Sequence, residues 1–148
     1  MKKVIALGLL LVAINGLTGC LSQQEIAQRN AESSAISERL NASYAFRTVD
    51  CKNKMACDKA FNLTKIYIQE HSDMKVQFAD DTIISTYGPI EYGYLGFAAT
   101  KTPEAGETAK IKLSISCKGF ESFNFTACAK RMAPIYENYK GYIEGKLK

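Results

Sequence analysis

Between residues 109 and 117 apolar and polar positions alternate without a break, with Ala109, Ile111, Leu113, Ile115 and Cys117 set against Lys110, Lys112, Ser114 and Ser116. A period of two sends successive side chains to opposite faces of a strand, so one face is expected to be packed and the other wet. Residues 54–71 follow another period. Cys57, Phe61, Thr64 and Ile68 fall on one helical stripe with Ala60, Leu63 and Tyr67 beside it, which predicts an amphipathic helix with a wide buried face. Residues 124–146 show the same period, with Phe125, Cys128, Met132, Ile135, Tyr139 and Tyr142 near one face. Pro134 is expected to kink or divide this second helix, and Gly141 and Gly145 to fray its end.

The remaining segments are shorter. Tyr44–Cys51 alternates and predicts a first strand, and Met74, Val76 and Phe78, separated by Lys75 and Gln77, predict a half-buried one. Asp80-Asp81 marks a turn, Thr82–Tyr87 is rich in β-formers, and Gly88-Pro89 marks a second break. Tyr92–Ala99 alternates again, with Gly93 and Gly96 pointing to a bulge or a close approach. Thr102–Glu107 reads as a loop. The order is β, α, four strands or hairpin segments, then α. It predicts an α+β domain, with a mostly antiparallel sheet of four to five strands carrying two helices on one face.

Ahead of this domain stand two segments of different character. Lys2 and Lys3 precede an apolar run, Val4–Ile14, of about eleven residues, well short of the roughly 20 that span a bilayer. Leu17-Thr18-Gly19-Cys20 follows and resembles the lipobox of bacterial lipoproteins. The resemblance covers residues 1–20. It implies diacylglycerol on the Cys20 sulfur, cleavage after Gly19 and a further acyl chain on the new amino group. Two or three chains make such an anchor effectively permanent, since each buried methylene contributes about 0.8 kcal/mol. In that family an aspartate after the cysteine favours retention in the inner membrane. Leu21 in that place implies the outer membrane, with the protein facing the periplasm. Residues 20–43 are rich in Gln, Ser, Glu, Ala and Asn and read as a polar tether, leaving 44–148 as a single domain.

Export changes how the other four cysteines are read, because disulfides persist in an oxidising envelope. A strand-like run ends at Cys51 and a helix-like run begins near Cys57, and Cys117 and Cys128 stand in the same relation. Local bridges Cys51–Cys57 and Cys117–Cys128 are therefore preferred over the crossed pairing Cys51–Cys117 with Cys57–Cys128. Zinc is the competing use, but CxxC spacing is absent.

The formal charge of +4 falls to about +2 without Lys2 and Lys3, which is not a nucleic-acid footprint. The single histidine, His71, ends the first predicted helix, where the helix dipole favours it. No GxSxG, HExxH or phosphate-loop motif occurs, and no cofactor beyond the lipid on Cys20 is expected. Tyr87, Glu91, Tyr92 and Tyr94 cluster around the Gly88-Pro89 break. Tyrosine combines apolar area with a hydroxyl, so an exposed cluster suits contact with an envelope protein or glycan, while a buried one would only cover the sheet. The function expected is a membrane-anchored, non-enzymatic accessory or structural lipoprotein. The alternative is an inhibitor or immunity lipoprotein that uses Tyr87–Tyr94 or Thr102–Glu107 to plug a wall-degrading enzyme or toxin.

Overall fold

The computed structural model describes residues 22–148 except Phe123. The export signal and Cys20 lie outside the described residues. The chain divides into a unit ending at Glu32 and a compact unit, Ser33–Lys148. In the first, Ser22 and Glu25 form a capping box at the start of helix α1 (Gln23–Ser43). The Ser22 amide donates to the Glu25 carboxylate at 2.8 Å, and the Glu25 amide to the Ser22 hydroxyl at 3.2 Å. Residues 22–32 are exposed throughout.

In the compact unit the last turns of α1 carry Ile36 and Leu40 of the polar segment to the core. Leu40 is 2% exposed, Ile36 packs against the same cluster, and Arg39 forms a two-pronged ion pair with Glu137 at 2.8 and 2.6 Å. Residues 33–43, expected within the tether, thus pack with the domain that was expected to begin at Tyr44.

The sheet is five-stranded and antiparallel throughout, in the order β1-β5-β4-β3-β2. Its strands are β1 (Thr48–Cys51), β2 (Val76–Ala79), β3 (Ile83–Thr86), β4 (Leu95–Pro103) and β5 (Ala109–Cys117). The alternation in β5 is realised residue by residue, with every odd position buried and every even one exposed. Helices α2 (Lys54–His71) and α3 (Phe125–Leu147) contribute Phe61, Ile68, Met132 and Ile143 to the one core cluster that holds Ile111, Leu113 and Phe97. Burying each such side chain contributes about 1.5–3 kcal/mol. The polar groups between the helices are paired. The Tyr139 and Thr64 hydroxyls lie 2.9 Å apart, and the Tyr67 hydroxyl donates to the Ile135 carbonyl at 2.7 Å. Burial pushes the Tyr139 phenol up to about 12.

Four local expectations are corrected. The first strand is only Thr48–Cys51, because Tyr44–Phe46 forms a 3-10 turn that lays Tyr44 edge-on against Tyr136 at 5.3 Å. Val76 and Phe78 do not share a face. A bulge between them pairs Val76 with buried Thr86 but Phe78 with Ser85, and leaves Phe78 exposed. β4 runs on to Pro103, which pairs with Ala109, so the loop begins at Glu104. Helix α3 is not divided at Pro134, since Met132, Ala133, Tyr136 and Tyr139 on both sides of it are locked in the core.

Replacing Leu40 by Ala removes the largest buried side chain of α1. The expected loss is about 2–5 kcal/mol, read from the urea unfolding midpoint, whereas a pure tether would leave the midpoint unchanged.

Candidate interaction site

Two disulfides define the ends of the sheet. Cys51–Cys57 joins the end of β1 to the first turn of α2, with Cα atoms 5.1 Å apart, and Cys117–Cys128 joins the end of β5 to the first turn of α3 at 5.8 Å. The Asn53 side chain caps α2 by accepting from the Ala56 amide at 2.9 Å, so the first link directs the chain into a capped helix. The second holds the Lys118–Ser122 turn beside the segment that carries Tyr87, Glu91, Tyr92 and Tyr94.

That segment runs across one end of the open sheet face. Tyr87 continues β3, its amide donating to the Lys75 carbonyl at 3.0 Å. Pro89 then lies over Gly96, where a Cβ would come within 3.0 Å of the proline ring, the Ser116 hydroxyl and the Tyr87 carbonyl. Gly96 is thus the close approach its sequence position suggested. Glu91–Tyr94 closes a turn, with the Tyr94 amide donating to the Glu91 carbonyl at 3.1 Å and Gly93 at φ +81° in the third place. Glycine is favoured there because a side chain resists positive φ.

All the tyrosines of the segment are outside. Tyr87 is 52%, Tyr92 60% and Tyr94 37% exposed, and Ile90 at the tip is 71% exposed. They do not form one stack. Tyr92 leans on the following turn, so that a Cβ at Gly119 (φ +84°) would meet its ring at 2.6 Å, and the Lys118 ammonium stands 6.0 Å from the ring centre. The Glu91 carboxylate, by hydrogen bond and then by charge, raises the Tyr94 phenol above its ordinary value.

The segment is held from behind by residues the sequence did not mark. Asp73, just past α2, accepts from the Leu95 amide at 2.7 Å and pairs with Arg131 of α3 at 3.0 Å. Arg131 also donates to the Gly93 carbonyl at 2.5 Å. Burial works to raise the Asp73 carboxyl, but the Arg131 hydrogen bond, the Leu95 amide and the Arg131 charge together outweigh it and leave it lowered. The exposed aromatics therefore stand on a frame tied to β4, β5, α2 and α3.

A second concentration of charge lies near the other disulfide. Asp58 accepts from Lys54 at 2.7 Å and from Lys101 at 2.9 Å, and these two hydrogen bonds bring its carboxyl to about 2. Both Lys101 and Lys65 face the Phe61 ring. Lys54, Asp58 and Lys101 read as an ion-pair network, with Lys65 as a further positive charge beside it. His71 stacks on Tyr67 at 4.1 Å, with Nδ1 2.8 Å from the Tyr67 carbonyl. Asp80 is a turn former, its Oδ1 accepting from the Thr82 and Ile83 amides at 2.7 Å.

No family model, curated protein or solved structure matches this chain.

The lowered Asp73 carboxyl contributes stability that is present above the ordinary aspartate value of about 3.9 and is lost as pH falls through its folded value. Exchange at the Gly93 and Leu95 amides is therefore expected to accelerate as pH drops below 4, after correction for intrinsic rates. D73N is expected to exchange fast at every pH, and an unaltered profile in D73N would refute the frame. Replacing Cys117 and Cys128 together by Ser opens an 11-residue separation, and the expected loss is about 3 kcal/mol. Opening the 6-residue Cys51–Cys57 link is expected to cost about 2 kcal/mol; both are read by denaturant titration.

Proposed function

We propose that this chain is an envelope lipoprotein, anchored through acylated Cys20 in the outer membrane and facing the periplasm. Its disulfide-linked domain binds another envelope component as a non-enzymatic accessory or structural factor. The anchor reading rests on Lys2, Lys3, the short apolar run and Leu17-Thr18-Gly19-Cys20. The binding reading rests on one observation. Ile90, Tyr87, Tyr92 and Tyr94 expose aromatic and apolar area on a segment that the Asp73–Arg131 pair and the Gly119 turn hold in place.

Preorganised aromatic side chains suit recognition because little rotamer freedom remains to be lost on binding. Tyrosine and isoleucine supply area, the phenols and Glu91 supply hydrogen bonds, and the open sheet face beyond Gly96 offers the hydroxyls of Ser114, Ser116 and Thr100. Residues that contribute in this way are expected to be few and central to the contact.

The test separates the two parts. Growth with an alkyne palmitate analogue is expected to label the wild type and not C20A; labelling of both would end the anchor reading. A photo-crosslinking residue at Ile90, in the native membrane, is expected to give one discrete adduct that Y92A together with Y87A reduces at least tenfold. A control crosslinker at Lys148 is expected to give none. Equal adducts at both places, or an Ile90 adduct indifferent to the tyrosines, would rule out the segment as the contact.

A further inference from the structure

Strand β5 is longer than its outer neighbour. β1 pairs with it only from Ala109 to Lys112, with one more bond from the Leu113 amide to the Arg47 carbonyl at 2.8 Å. The chain on that side is then taken up by the Tyr44–Phe46 turn. Residues 114–117 therefore have β4 on one side and, among the described residues, no strand on the other.

The hydrogen-bond phase of β5 says which groups point outward. The Lys118 amide bonds across to the Tyr94 carbonyl at 3.2 Å, whereas the Leu113 amide bonds outward to Arg47. Even-numbered residues thus turn their backbone groups toward β4, and odd-numbered ones toward the open edge. Two of the outward groups are occupied. The Ile115 amide donates to the Tyr136 hydroxyl at 2.8 Å, and the Cys117 carbonyl accepts from the Phe120 amide at 3.2 Å. The Ile115 carbonyl and the Cys117 amide have no protein partner among the described residues. Backbone groups in so well packed a place are ordinarily paired. Beside them lies a groove of about 520 Å³ bordered by Tyr44, Phe120 and Met132, with Lys118 and Glu121 also on its lining.

We propose that this edge is a binding site for an extended polypeptide segment of a partner protein, which adds to the sheet as a short strand beside β5. The two free groups flank Ser116, and a strand of either polarity can use both. In a parallel strand one residue opposite Ser116 donates its N–H to the Ile115 carbonyl and accepts at its C=O from the Cys117 amide; in an antiparallel strand the same two bonds come from residues two apart. Tyr136 and Phe120 hold the remaining outward groups, so the added strand makes two main-chain bonds at this place. Strand addition draws its affinity from main-chain bonds and its selectivity from pockets for alternate side chains. Here those pockets are apolar, formed by Tyr44, Met132 and Phe120, with one charge of each sign nearby. Tyr92, which belongs to the Tyr87–Tyr94 contact, also borders this groove, but the backbone groups that receive the strand lie on β5, and the site does not depend on Cys20.

The test uses the full chain, isotopically labelled in detergent micelles, titrated with a lysine-flanked heptapeptide of alternating valine and threonine. Saturable shifts are expected at Ile115, Ser116 and Cys117, with exchange of the Cys117 amide slowed at least tenfold. A peptide with N-methyl groups on every backbone amide is expected not to bind. The proposal is overturned by an absence of shifts at millimolar peptide or by equal binding of the methylated peptide. Shifts confined to Tyr87–Tyr94 would overturn it too, while leaving the function proposed above intact.

Discussion

The ladder between β4 and β5 runs without interruption from the Leu95–Cys117 pair to the Pro103–Ala109 pair, and nearly everything else in the domain is attached to it. Its inner side carries Leu95, Phe97, Ala99, Ile111, Leu113 and Ile115, against which α2 and α3 are laid. At one end Cys51 and Cys57 close over Ala109, the first residue of β5. At the other Cys117, its last residue, is bonded to α3. The hairpin thus sets the distance between two strand-to-helix junctions, and a shift of register would turn buried positions outward along β5 at once.

The same ladder explains why the exposed segment has a defined shape. Gly96 and Ser116 face each other across it, and the bare backbone of Gly96 lets Pro89 settle on the sheet. At Tyr92 and Gly93 the chain returns to the end of β5, and the pair Asp73–Arg131 joins it to the helices. The carboxylate is partly desolvated, yet it accepts both an amide and a guanidinium, so the cost of burial is offset locally. Position, charge and conformation here are consequences of packing on the other side of the sheet.

Much of this was legible before the fold. The bounds of α2, the face of β5, the fold class and the local pairing of cysteines follow from periodicity and from the repeated strand-cysteine-helix order. What misled was local resemblance without long-range context. Tyr44–Arg47 alternates as a strand does, but Ser43 ends a helix and Tyr44 is drawn to Tyr136. The Phe78 position could not be read because a bulge changes phase without any glycine to announce it. The Ser22-x-x-Glu25 signature was available as a helix start and was passed over in a segment whose composition suggests a tether. The exposed aromatics at Tyr87, Tyr92 and Tyr94 were visible as a cluster, but Asp73, Gly119 and Arg131 were not, since they are separated by tens of residues and meet only after the sheet is assembled. Pro134 shows the converse, where propensity is overridden because core residues flank it on both sides.

Both disulfides join cysteines that are neighbours in chain order. For a polypeptide that enters an oxidising space from its N-terminus, Cys51 meets Cys57 while Cys117 is still to arrive, and Cys117 later meets Cys128 with no other thiol left among these four. Oxidation in order of arrival therefore yields the native pairs directly, without reshuffling of mismatched bonds. The two junctions can then close in sequence, each delivering a capped or covalently started helix to the hairpin that joins them.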